Sequence, residues 1–324
     1  MVNITHHKKI IVVISIICCM AGGIIFMTMN SEKKSEKMNH DEMNDYQYIT
    51  VNNQEYKFNT DLKMILFLGI DSQNMDELGQ SDMIQLIILN QKQMTMKIIS
   101  LSRDMMTDIR IFSASGEDLG WKQQHLGLAY SYGKSSNNGC MLAIDAVSRM
   151  FGGIPIINYV AINMSSMETI QNVVGSLSIQ LSEDYTDLNQ QWKSGKTIQL
   201  KAKDAEKFLR TRDTDKDYSN TARMKKHKVY IEAYMTQLKK LLKADFQQVI
   251  QKLYYLYEDT TTNISLEEIS AYAEILMNYQ IDFEQSFYTL EGKEQVGKYH
   301  DEVFIDQVQL EDLKLKLFYE ESKK

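Results

Sequence analysis

Two aspartates, Asp71 and Asp82, stand eleven residues apart in ILFLGIDSQNMDELGQSDMIQLIIL. Asp71 closes one apolar run and Asp82 opens the next. In open α/β sheets, ligands collect beyond the carboxyl ends of strands. Two carboxylates there can share a Mg²⁺ ion, which takes one or two carboxylates and completes its shell with water and phosphate oxygens. The plainer reading makes both of them loop caps or solvated acids. Arg103 ends a third apolar run in SLSRD and is followed by Asp104. It either faces the same crevice or forms a structural ion pair with a neighbour.

The densest charge lies in FLRTRDTDKDYSNTARMKKHK, residues 208–228. Arg210 and Arg212 are two apart, so an extended chain points both to one side and a helix points them apart. Arg223 and His227 are four apart and share a helix face. Ser219 or Asn220 is a candidate N-cap, which sets Arg223 near the first turn. Free N–H groups and the helix dipole favour anions there. Guanidinium forks beside such a terminus suit a pyrophosphate. A calcium loop does not fit: counting from Asp213, position six is Tyr218 instead of Gly and position twelve is Met224 instead of Glu. A DNA-reading helix does not fit either. Glu232 and tyrosines interrupt KKHKVYIEAYMTQLKK, and the chain carries a net charge of −7, so no nucleic-acid partner is expected. Lys225, Lys226 and Lys228 read as a solvated basic face. The nucleophile-elbow, P-loop, H-E-x-x-H and CxxC patterns are absent.

These residues need a frame to hold them. Lys63–Asp71, Met83–Asn90 and Met96–Asp104 are short continuous apolar runs, which suit strands covered on both faces. Tyr48–Thr60 alternates around Asn52-Asn53 and reads as a hairpin. Helical spacing marks residues 139–152, 204–210, a long amphipathic stretch from about Ser219 into the 240s, 246–257, and Leu310–Phe318. Asn263–Met277 reads as a further helix, with Ser265 and Glu268 spaced as a capping box. IINYVAINM is another strand and METIQNVVG a short helix. Strands alternating with helices predict an α/β domain.

Composition agrees with a chain that buries a real core: 44% of its 324 residues are hydrophobic and 24% charged. Three cysteines do not make a disulfide scaffold. Cys140 reads as a small buried apolar residue. Ile10–Met27 is uncharged and spans about 27 Å as a helix, enough for a bilayer core. No A-x-A cleavage pattern follows it, which favours a retained anchor over a signal peptide. The expected organisation is a short tail at 1–9, a transmembrane anchor at 10–29, a linker at 30–47 and one domain at 48–324. Lysines flank the run on both sides, in HHKK and SEKKSEK, and do not set its orientation.

Taken in order, ILFLGID, GQSDMIQLIIL, KIISLSRDMMTDI, FLRTRD and SNTARM resemble the LytR–CpsA–Psr (LCP) family. The likeness runs from about Tyr48 to the C-terminus. Its order and spacing, together with the N-terminal anchor, carry it more than any single motif. The resemblance implies an LCP-type α/β sandwich, a central mixed β-sheet flanked by helices, with an apolar pocket for a lipid tail and an N-terminal transmembrane helix as tether. It implies a single-pass protein of the cell membrane with its C-terminal domain outside. It implies a Mg²⁺-dependent phosphotransferase that moves a glycopolymer, such as teichoic acid or capsule, from a polyprenyl-pyrophosphate carrier to peptidoglycan through a phosphodiester.

On this resemblance Asp71 and Asp82 are the metal ligands. Arg103, Arg210, Arg212 and Arg223 contact the pyrophosphate, with His227 one helical turn beyond the last. Arg103, Asp82 and Asp104 are the catalytic candidates, the two aspartates as proton acceptors. The chain departs from the family's habits at Gln80, commonly Arg, and at His125-Leu126-Gly127, commonly Lys-x-Asn. It departs again at Gly175-Ser176-Leu177, commonly Gly-Gly-Val, and at His227, commonly Gln. The Asp and Arg set is intact. Two alternatives are a non-catalytic or regulatory protein that binds lipid-linked polymer, and a pyrophosphatase with water as acceptor.

Overall fold

The three apolar runs are strands with both faces covered. The structure, a computed structural model, describes residues 46–72, 74, 77–186, 188–211, 220–257, 259–297 and 301–322. Six strands form the central sheet: β1 (Leu62–Asp71), β2 (Gln80–Asn90), β3 (Thr95–Leu101), β4 (Asn158–Asn163), β5 (Thr260–Thr262) and β6 (Phe287–Thr289). Their spatial order is β5-β4-β1-β2-β3-β6. β1, β2 and β3 pair antiparallel, while β4 joins β1 and β6 joins β3 in parallel. The sheet is therefore mixed, as expected.

Side chains alternate across a strand, and the strict period of two sorts these apolar runs into two cores. Met64, Leu66, Leu68 and Ile70 of β1 join Ile84, Leu86 and Ile88 of β2 on one side. Helices α1 (Ser136–Met150) and α7 (Gln307–Phe318) cover that side through residues such as Ile144, Val147, Leu313 and Phe318. Ile65, Met83, Met96 and Ile98 point the other way. They meet α2 (Met167–Val174), α4 (Asn220–Ala244), α5 (Phe246–Tyr257) and α6 (Leu266–Asn278). The short α3 (Ala205–Arg210) packs there through Phe208 and Leu209. The result is helices, sheet, helices. Among the described residues no helix is long and apolar enough to cross a membrane. The anchor expected at 10–29 lies outside the described residues.

Several local expectations sharpen. The Tyr48–Val51 and Gln54–Phe58 hairpin turns on Asn52 and Asn53, both with positive φ, as a tight two-residue turn requires. The Ser265–Glu268 capping box forms, but its helix starts at Leu266 instead of Asn263. Asn263 is occupied elsewhere: its side chain accepts from Tyr159 N at 3.0 Å and donates to Ile157 O at 2.6 Å, bracing the entry to β4. β3 stops at Leu101 and does not reach Asp104. A turn at Ser102–Asp104, with Met105 N donating to Ser102 O at 3.2 Å, redirects the chain into a second sheet. That sheet contains Met105–Phe112 and Asp118–His125, paired antiparallel.

Candidate functional site

β1 and β4 run parallel, and Asp71 and Asn163 lie at their carboxyl ends. Ser72 donates to Asn163 Oδ1 at 2.8 Å, which pins the loop leaving Asp71. Gly79 closes that loop. A Cβ there would sit 2.2 Å from the Asp71 carbonyl oxygen, so only glycine permits this approach.

Asp82 reaches the site through a β-bulge. Across the ladder Gly69 faces Met83 and Ile70 faces Ser81, which leaves Asp82 without a partner. A bulge re-aims the extra side chain. Asp82 is 8% exposed and accepts from two guanidiniums. Arg103 Nη1 binds its Oδ1, and Arg223 Nη1 binds its Oδ2 at 3.0 Å. Arg223 Nη2 also donates to the Asp82 carbonyl at 3.3 Å. Burial alone would raise the Asp82 pKa. The charges of Arg223, Arg103 and Arg210 outweigh burial and hold it below its ordinary value. Arg103 in turn donates through Nε to Asp104 Oδ1 at 3.2 Å. Gly127 lies against the stem of Arg103, where a Cβ would meet Arg103 Cβ at 3.0 Å. The His125-Leu126-Gly127 departure therefore leaves a close-packed wall behind Arg103.

Arg210 is the last residue of α3. It donates to Asp71 Oδ1 at 2.6 Å and to Glu206 Oε1 at 3.0 Å. Arg223 is 4% exposed on the first turns of α4. His227, one turn on, is fully buried. Burial first, then the Arg223 charge, push its pKa down to about 3, so the imidazole is neutral. It bonds the backbone of Leu209, and among the described residues its Nε2 has no hydrogen-bond partner.

Asp71, Asp82, Arg103, Arg210 and Arg223 thus form one cluster, with Asp104 and His227 on its edges. Arg212 lies outside the described residues. One expectation is corrected. Lys226 is buried, not a wet face residue: it donates to the Thr211 carbonyl and stands 5.7 Å from the Tyr185 ring centre. Lys225 is exposed and pairs with Glu183 at 2.9 Å. Lys228 lies 5.6 Å over the Phe287 ring. Sequence reasoning also missed Glu206, although its i,i+4 spacing to Arg210 is a legible signal.

Next to the cluster opens an apolar cavity of about 310 Å³. Met83, the residue after Asp82, and Tyr230, one turn beyond His227, line it, followed by Gln85, Ile87, Tyr234 and Met235. A second cavity of about 230 Å³ shares Ile87 and Met235 with the first and extends to Leu242. Between sheet and α4, a charged head end thus passes into a long apolar trough.

Two carboxylates of this cluster were expected to hold Mg²⁺. An ionised carboxylate has about four acceptor positions. The guanidinium contacts of Asp82 take one on each oxygen, and Asp71 is exposed with Arg210 on Oδ1. The donor set therefore fits an ion that borrows its remaining ligands from phosphate oxygens. It does not fit an all-protein cage: among the described residues no group of three or more His, Cys, Asp or Glu is placed to hold a metal.

The sequence profile of the LytR_cpsA_psr family matches residues 25–318. The chain belongs to that family. A relative in Enterococcus faecalis, the polyisoprenyl-teichoic acid–peptidoglycan teichoic acid transferase TagU, is 31% identical over 166 residues, half of each chain. This LytR_cpsA_psr protein spans about half the length of the curated relatives it matches. The crystal structure of B. subtilis TagV has the same fold, with a TM-score of 0.61 and 21% identity over 80% of this chain and 96% of that one. A structure of TagT bound to LI-WTA superposes with a TM-score of 0.59 at 21% identity, covering 84% of this chain and 95% of that one.

Proposed function

We infer that this family member is a membrane-anchored phosphotransferase. Its substrate is a glycopolymer on a polyprenyl-pyrophosphate carrier, and its acceptor is a peptidoglycan hydroxyl. The observation that carries the reading is the joining of a five-residue Asp/Arg cluster to an apolar trough, the two chemistries of a lipid pyrophosphate. The names of the TagU relatives support transfer of a glycopolymer to peptidoglycan, and teichoic acid is the polymer those names specify.

In this reading the lipid tail lies along Met83, Ile87, Tyr234 and Met235. Arg103, Arg210 and Arg223, with Arg212 by its place in the motif, hold the pyrophosphate oxygens. Mg²⁺ on Asp71 and Asp82 would supply positive charge to the same oxygens. The acceptor hydroxyl attacks the phosphorus next to the polymer. A new P–O bond forms, the bond to the lipid-side phosphate breaks, and polyprenyl phosphate leaves with the bond's electron pair. The arginines stabilise the charge that develops on it, so catalysis is positioning and electrostatics. The hydroxyl proton passes to a carboxylate. Asp82, held ionised by two guanidiniums, is a weak base, so the role falls to Asp104, which gives one oxygen to Arg103. The anchor at 10–29 would keep the domain at the outer membrane–water boundary, where such carriers sit.

The test is product analysis. Full chain is incubated with a polyprenyl-pyrophosphate-linked glycan, Mg²⁺ and peptidoglycan oligomers. Polyprenyl phosphate and glycan-modified peptidoglycan should appear together and only with acceptor. Lipid phosphate released equally without acceptor would make the protein a pyrophosphatase. Bound carrier with no release under any condition would make it a non-catalytic binding protein.

A further inference from the structure

At the opposite end of the sheet, on its other face, lies a third cavity, apart from the two that form the trough. It is about 160 Å³ in volume and lies between β2, β3, α7 and the C-terminal strand Tyr319–Glu321. Lys97 faces Ile88 in the β2–β3 ladder, six residues along β2 from Asp82, or about 20 Å at strand spacing. Lys97 and Lys316 both line the cavity; burial first, then the Lys316 charge, push the Lys97 pKa down. Among the described residues neither has a carboxylate at ion-pair distance. Lys316 rests over the Tyr288 ring at 4.9 Å.

The rest of the lining is rich in donors. Asn90 is buried and lines the cavity; its Oδ1 accepts from Gln93 N at 2.8 Å, and among the described residues its Nδ2 has no hydrogen-bond partner. The Thr95 hydroxyl is likewise uncommitted among the described residues. Glu320 also lines the cavity, and its Oε1 accepts from Asn59 Nδ2 at 2.6 Å. Lys97 is half-buried and Lys316 is exposed at the mouth, and a shared counter-ion would relieve the repulsion between two like charges on one cavity. Ammonium, amide and hydroxyl donors from β2, β3 and α7 line one cavity, and such a donor set suits an oxyanion.

We propose that Lys97 and Lys316, with Asn90 and Thr95, form a binding site for a phosphate group, separate from the Asp/Arg cluster. The phosphate is either free in solution or the headgroup of an anionic phospholipid. Both sources present the same tetrahedral oxyanion to two point-charge donors.

Amine-acylation footprinting of the full chain tests this. Inorganic phosphate should slow acylation of Lys97 and Lys316 severalfold, relative to exposed Lys193 and Lys293, while chloride at equal ionic strength should not. Phosphatidylglycerol vesicles form the second arm. Protection by phosphate with no added effect of vesicles assigns the free anion; protection by vesicles, with or without phosphate, assigns the headgroup. In Lys316→Gln the protection of Lys97 should be lost. Unchanged acylation in both arms, or full protection of Lys97 in Lys316→Gln, would overturn the site.

Discussion

At the residue scale Asp82 links Arg103 to Arg223. It is a buried carboxylate between two guanidiniums, and breaking such a group leaves uncompensated charge. Asp82→Asn should therefore destabilise the protein by about 3–5 kcal/mol, read by chemical denaturation. Arg103→Ala removes one charge donor from the cluster and should lower turnover roughly 10²–10³-fold at saturating Mg²⁺. Wild-type rates would remove Arg103 from the clamp. His227 makes a separable prediction. Its folded pKa, about 3, lies below the ordinary 6.5, so the unfolded chain takes up the proton first. The stability this neutral histidine contributes is complete above pH 6.5 and is lost as pH falls toward 3. The slope is at most about 1.4 kcal/mol per pH unit. The Asp82 contribution has the same sign but acts only below its ordinary value of 3.8. His227→Gln should flatten stability between pH 6.5 and 4 while leaving the fall below 4. An unchanged slope there would show that the histidine is not buried neutral.

At the element scale one helix does two jobs. α4 presents Arg223 and His227 to the cluster, then Tyr230 and Tyr234 to the trough, at spacings of three and four, with Met235 beside Tyr234. Its start and amphipathic face were legible in the sequence. So were β1 and β2, because continuous apolar runs signal strands covered on both sides. The strand Asp118–His125 was not legible: none of its residues is buried and it has no apolar period to read. Lys226 was misread because its spacing continues a basic face, while its burial depends on Thr211 and Tyr185 arriving from other elements. The bulge at Asp82 was invisible for a related reason, since register belongs to two strands and not to one. Gly79 is the hinge of that arrangement. Gly79→Ala drives a methyl into the Asp71 carbonyl and should cost about 1–3 kcal/mol. It should also lower turnover more than the stability loss explains at temperatures where the variant is folded. Unchanged stability and turnover would show that the loop tolerates a side chain.

At the scale of the whole molecule, the sheet separates two cores, and only one of them contains the trough that meets the Asp/Arg cluster. The family likeness was legible because the clamp residues sit in short runs whose order survives. The trough was not, because its lining comes from β1, β2, β4, α4 and α5 together, each of which alone reads as ordinary core. The central claim is that one site reads both halves of an amphiphile. Binding of three ligands to the full chain by calorimetry tests it most directly: polyprenyl pyrophosphate, polyprenol and inorganic pyrophosphate. The account predicts that polyprenyl pyrophosphate binds at least tenfold tighter than either half, with the advantage lost in both Arg223→Gln and Met235→Glu. Equal affinity for polyprenol and polyprenyl pyrophosphate, or an advantage that survives both substitutions, would contradict it.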